Sequence, residues 1–156
     1  MTLGTETEPV QPVEVAKADI EVIQEVPLKP RVADHVLLVG GEDWAMADVT
    51  SQLHAAGRTV HRCCDSASAP FPCNAMVPGR SCPLDHEEVD VVLVIRSRPL
   101  VEPSLADMGA VCGIRDGLPI VVAGLSEDSG FGPWAEEVAQ AGDIVATCDE
   151  IVKRVP

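Results

Sequence analysis

From residue 35 onward the chain alternates between continuous apolar runs and mixed segments. HVLLVGG (35–41) is uninterrupted aliphatic sequence ended by glycines, the pattern of a strand buried on both faces of a parallel sheet. WAMADVTSQLHAAG follows, with Trp44, Met46, Ala47, Val49, Leu53 and Ala56 on one helical face. Asp43 stands where a cap is expected, and Gly57 closes the helix. RTVHRC (58–63) predicts a second strand, VDVVLVIRS (89–97) a third and LPIVVAG (118–124) a fourth. Residues 105–115 predict a helix, and WAEEVAQAG (134–142) another, ended by glycine. DIVATC (143–148) predicts a fifth strand, with Asp149 capping a short last helix over 150–155.

Strands alternating with helices at this spacing build right-handed βαβ units on a parallel sheet. The expected fold class is α/β: a single three-layer domain over 32–156 with a five-stranded parallel sheet in the order 2-1-3-4-5. The segment after strand two is rich in cysteine and proline, so a loop is expected to replace helix 2. Residues 1–31 carry Pro9, Pro12, Pro27 and Pro30, several acids and no aromatic, which predicts a flexible acidic arm. Within it, 18–26 alternates enough to dock as an edge strand or a short helix.

Composition narrows the function. With no tyrosine and two residues each of Phe and Trp, the core is aliphatic and a base-stacking surface is not expected. A net charge of −14 opposes nucleic acid and anionic lipid alike. The partner expected is a protein of unknown identity, with a basic surface electrostatically favoured, or a second copy forming a homodimer. No run approaches a membrane span, and the opening residues have neither a basic n-region nor an apolar h-region, so the expected address is the cytoplasm. Thiols stay reduced there, which points clustered cysteines to metal or redox chemistry before structural disulfides.

CCDSASAPFPCNAMVPGRSCPLD (63–85) holds four of the six cysteines. Cys63, Cys64, Cys73 and Cys82 are the candidate metal ligands, with Cys112, His61, His86 or Asp85 as an additional one. Soft thiolates select zinc or an iron–sulfur cluster, and a Cys-Pro pair such as Cys82-Pro83 occurs in some cluster sites. Pro70, Pro72, Pro78, Pro83 and Gly79 supply the turns that bring the thiols together. No CxxC knuckle is present, so three readings stay open: a metal or cluster site, a disulfide or redox pair such as Cys73 with Cys82, and separately packed cysteines. Cys112 and Cys148 taken singly read as core. Arg96 and Arg98 end strand three at the same rim, either lowering thiolate pKa values or pairing with Glu102, Asp85 or Glu87.

Other chemistry is poorly supplied. VGGEDW lacks both GxGxxG and GK[ST], so its glycines read as a tight turn and not a phosphate loop. Ser66 and Ser68 lie near His61, but no GxSxG elbow supports a hydrolase. No catalytic residue is assigned and an enzyme is not expected.

DVVLVIRSRP (90–99) has the cadence of a third strand and its following loop in one family, and AQAGDIVATCDEIVKRV has that of its fourth helix, fifth strand and last helix. On these segments and the element order, 32–155 resembles a response-regulator receiver domain. The resemblance implies a flavodoxin-like sheet. It also implies lost phosphorylation chemistry. The family's acidic pair falls on Gly40 and Gly41, with Glu42 and Asp43 displaced, and the phospho-accepting aspartate falls near Ile95. The switch Ser/Thr falls on Ala123 or Gly124, and the lysine near Thr147 or Cys148. The function expected is a non-catalytic regulatory or binding domain of pseudo-receiver type whose cysteine loop holds a metal or a disulfide. The alternative is a thiol-based redox or metal-handling protein.

Overall fold

A computed structural model describes residues 31–40, 42–64, 72–96, 105–124, 135, 137–139 and 143–155. The proposed arm over 1–31 lies outside these, apart from Arg31, as do Ser66, Ser68, Arg98 and Glu102. The elements run β1 (His35–Gly40), α1 (Asp43–Ala55), β2 (Thr59–His61), a 3₁₀ turn (Asn74–Met76) and α2 (Pro83–His86). They continue with β3 (Val91–Arg96), a 3₁₀ turn (Leu105–Asp107), α3 (Met108–Arg115), β4 (Ile120–Gly124), β5 (Glu137–Ala139) and α4 (Ile144–Arg154).

The fold is α/β, with β2-β1-β3-β4 forming a parallel sheet in that order. The short β5 runs parallel beside β4, with Val122 opposite Val138. β1 and β3 are central and buried on both faces, which explains why they read as unbroken aliphatic runs. Alternate residues feed two cores. Val36, Leu38, Val91, Leu93 and Ile95 face α1 and α4, meeting Met46, Val49, Leu53, Ile144, Ile151 and Val152. Leu37, Val39, Val92 and Val94 face the other way and meet Ala110, with Ile114 at its margin.

α3 lies very close to the sheet because Gly109 and Gly113, one turn apart, turn bare backbone toward it. A Cβ on Gly109 would stand 2.7 Å from Val39 Cγ2, and one on Gly113 would collide with Val92.

Several sequence expectations need correction. Residues 143–148 are not a strand but the start of α4, and the segment expected as a helix over 134–142 contains β5. Ile144, Cys148, Ile151 and Val152 are all buried, so the true period is helical, and DIVATC is simply the helix's first apolar turn and a half. Asp149 is therefore no cap. It sits inside α4, where its carboxylate accepts from the Ala33 amide at 2.9 Å and from Arg58 at 2.7 Å. Asp43 is the first residue of α1, preceded by Glu42 at the cap position. On α1 the buried residues are Ala45, Met46, Val49 and Leu53, whereas Trp44, Ala47 and Ala56 are exposed. The described part of the connection from β2 to β3 carries two single helical turns. No helix among the described residues is long and apolar enough to cross a membrane.

Candidate thiol-lined site

The carboxyl edge of the sheet is where an open α/β fold leaves a crevice. β2 ends at His61, and Arg62, Cys63 and Cys64 carry the chain over that edge. The chain then returns through Pro72 and Cys73, and Asn74 fastens it. Its amide donates to Cys63 O at 2.6 Å, and its side-chain amide donates to Arg62 O at 3.2 Å. Arg80 donates to Asn74 Oδ1 at 2.9 Å and holds that side chain in place.

Between Cys73 and Cys82 the chain reverses in a tight turn. Arg80 N donates to Val77 O at 3.1 Å, and Gly79 has φ +77° after Pro78. Proline second and glycine third is the residue pattern of a type II turn. Cys73 and Cys82 each stand immediately before a helical turn, and Pro83 occupies the first position of α2, where its missing N–H costs nothing. Leu84 of α2 packs on the second core and anchors this limb to the sheet.

These constraints bring Cys63, Cys64, Cys73 and Cys82 around one cavity of about 360 Å³, and α3 adds Cys112. Five of the six cysteines thus line a single space. Met46, Met76 and Met108 contribute thioethers to it, and Leu38, Val39 and Gly40 at the end of β1 also line it. Met76, Leu105 and Met108 are exposed, so the mouth is apolar. None of the five is in a disulfide, and all are half-buried. Cys63 Sγ lies 3.1 Å from where a Cβ on Gly109 would be, so the bare helix backbone also admits this sulfur.

Burial pushes the Cys63 thiol up to about 12, with Cys82, Cys112, Cys64 and Cys73 adding to the rise in that order. Cys112 is also raised, by burial first, against an opposing pull from Arg115. The two thiols therefore keep their protons at neutral pH. Among the described residues, no three His, Cys, Asp or Glu side chains are grouped to hold one metal ion.

The other sequence candidates separate. Asp85 lines the cavity, whereas His86 and His61 do not. His61 stacks on His35 with ring centroids 5.3 Å apart and an interplanar angle of 12°, and their nitrogens share a hydrogen bond of 3.0 Å. Burial lowers the His61 pKa, with Glu87 opposing and His35 reinforcing. Cys148 lies on the opposite side of the sheet, buried in the core under α4. Cys73 and Cys82, proposed as a disulfide pair, are both free thiols.

Arg96 does not serve the rim either. It is 3% exposed and pairs at 2.7 Å with Asp107, which is 0% exposed. Gly40, at φ +75°, leaves room for this pair: a Cβ there would stand 3.0 Å from Ile95 O and 3.4 Å from Asp107 Oδ1. Sequence reading missed Asp107, Gly109 and the methionines. The only prior signal was a glycine pair at helical spacing in 105–115.

Gly40 ends β1, the buried Ile95 lies near the end of β3, and Ala123 and Gly124 end β4. Thr147 and Cys148 lie within α4 and not at the end of a strand.

No family model matches the chain, and no curated protein matches it. A solved structure of a yeast Spc42 trimeric coiled-coil segment, amino acids 181–211, fused to another structure, is similar over 78% of this chain and 77% of its own. The identity is 14% and the TM-score 0.48.

Proposed function

We propose that this chain is a non-catalytic binding or regulatory domain whose cysteine-lined cavity holds an iron–sulfur cluster. The observation that carries the reading is the convergence of five cysteines, from the end of β2, the β2–β3 connection and α3, on one apolar cavity of about 360 Å³. A single zinc ion bonds sulfur at about 2.3 Å, which requires thiolates roughly 4 Å apart around one point. The described thiols form no such trio and instead line a volume. The apolar walls and the Cys82-Pro83 pair agree with the cluster reading.

Thiol-based redox catalysis is the second reading. A reactive cysteine needs a depressed pKa and an electropositive setting. Burial raises Cys63 and Cys112 instead, which counts against a nucleophilic role for them. The finer fold reading is a pseudo-receiver with five strands in the order 2-1-3-4-5. The parallel pairing of Glu137–Ala139 along β4 supports it. So does the presence of only single helical turns in the described part of the connection expected to replace helix 2. The residues that end β1 and β3, Gly40 and Arg96, carry no carboxylate, which supports the loss of aspartyl phosphorylation.

The test is anaerobic purification followed by analysis of iron, acid-labile sulfide, zinc and copper together with a visible spectrum. The expected result is iron and sulfide in equal amounts, with broad visible absorption. Protein that carries no metal and takes up none on anaerobic reconstitution would remove the reading. Zinc or copper alone would replace the cluster with a different thiophilic occupant.

A further inference from the structure

The cavity is not confined to one face of the sheet. Leu38 belongs to the core under α1 and Val39 to the core against α3, yet both line it. Met46 of α1 and Met108 of α3 line it from the two sides, so the space bends over the carboxyl end of β1. Three charged side chains reach this mostly apolar lining: Arg62, Asp85 and Arg115. Arg115 is exposed and engages Asp116 through two hydrogen bonds, of 2.7 and 3.1 Å. Asp85 is exposed on α2, where its charge acts on Arg115.

Arg62 differs from both. It is half-buried, and among the described residues it pairs with no carboxylate. Its Nη2 donates to Thr50 Oγ1 at 3.1 Å, and that hydroxyl donates to Met46 O at 2.6 Å. The guanidinium is thereby held against the turn of α1 that carries Met46 into the cavity. Asn74 fixes the backbone of the same residue by donating to Arg62 O at 3.2 Å. One bond to a neutral hydroxyl leaves a guanidinium four of its five N–H donors for an anion.

The geometry points to a binding site for an amphipathic monoanion, an alkyl carboxylate whose chain lies along the apolar walls and whose head pairs with Arg62. A cavity of about 360 Å³ with apolar walls and a fixed polar anchor has the ordinary form of a small-ligand site. Met46, Met76 and Met108 supply flexible thioethers that adapt to an alkyl chain. With a net charge of −14 the molecule as a whole attracts cations, so preference for an anion isolates the contribution of Arg62. The site goes beyond the cluster reading and does not rest on it, because it belongs to the metal-free chain; a centre bound to the thiols would compete for the same volume.

The experiment uses the full chain, stripped of metal by a chelator and kept reduced with dithiothreitol. Octanoate, decanoate, decanol and decylammonium are titrated by calorimetry, each below its micelle concentration, and circular dichroism confirms that every protein is folded. Decanoate is expected to bind one to one and roughly tenfold or more tighter than octanoate, since each buried methylene adds about fourfold. Arg62→Gln should weaken decanoate by about ten- to hundredfold and leave decanol unchanged. Ala75→Trp, at an exposed position of the lining, should weaken both, and Arg154→Gln on α4 should weaken neither. Wild type without saturable decanoate binding would overturn the proposal. So would undiminished decanoate binding in Arg62→Gln, or decylammonium binding as tightly as decanoate. Uptake that Ala75→Trp leaves unchanged would place the ligand outside the cavity and overturn it as well. Failure here leaves the iron and sulfide analysis standing, and a chain that takes up no iron leaves this titration standing.

Discussion

Raising the pH should weaken the core on the side of the sheet away from the cavity, through one thiol. Cys148 is 1% exposed and packs in the core under α4. Burial pushes its pKa up to about 12 from an ordinary 9.0, with Asp149 adding to the rise and Arg58 pulling back. An acid with a higher pKa in the folded chain holds its proton more tightly there than in the unfolded chain. Its contribution is fully present below pH 9 and is lost as the pH rises from 9 to 12. Three pKa units at about 1.4 kcal/mol each amount to about 4 kcal/mol, of which about 2 kcal/mol is gone by about pH 10.5. The chain has no tyrosine, so no phenol titrates in this window. Cys63 shifts in the same direction from its half-buried place in the cavity, so the informative quantity is a difference between variants. Urea midpoints of wild type and Cys148→Ala would be measured under reducing conditions at about pH 7.5 and about pH 10.5. Wild type should lose about 2 kcal/mol more than Cys148→Ala over that interval. Equal losses in the two proteins would refute the argument that this buried thiol resists ionisation.

Two further predictions concern packing and charge. Gly113→Ala places a methyl group into Val92 and should lower stability by about 1–3 kcal/mol, read as a shift in urea midpoint with an unchanged slope. Asp107→Ala leaves a buried guanidinium without this carboxylate and should cost about 3–5 kcal/mol, whereas the double variant Asp107→Leu/Arg96→Met should recover most of that loss in the same assay.

The parts of the fold visible in sequence were those governed by local composition. β1, β3 and β4 are aliphatic runs because both faces of a central parallel strand are buried, and no other element of this length reads that way. α4 was misread because its first turn, Ile144-Val145, is apolar and β-branched, and the helical period shows only when Ile151 and Val152 are counted with it. Trp44 was misplaced because an aromatic near the start of a helical pattern looks like core. Its indole N–H instead bonds to Glu42 at 2.6 Å on the surface. At the site, the gathering of Cys63, Cys73 and Cys82 could be anticipated from the prolines and glycine between them, which are local devices. The exclusion of His61 could not, because it depends on the pairing of β1 with β2, which sets His35 opposite Thr59 and so within reach of the His61 ring diagonally. Nor could the pairing of Arg96 with Asp107, which depends on how α3 approaches the sheet.

The two limits of the described domain meet. The Arg31 guanidinium donates to the Val155 carbonyl at 3.5 Å, and Arg58 bonds Asp34 and Asp149 together just inside them. That junction precedes β1, at the amino pole of the strands, whereas the thiols crown the carboxyl pole. With both limits at the amino pole, the described unit is geometrically suited to insertion as a cassette into a surface loop of another protein.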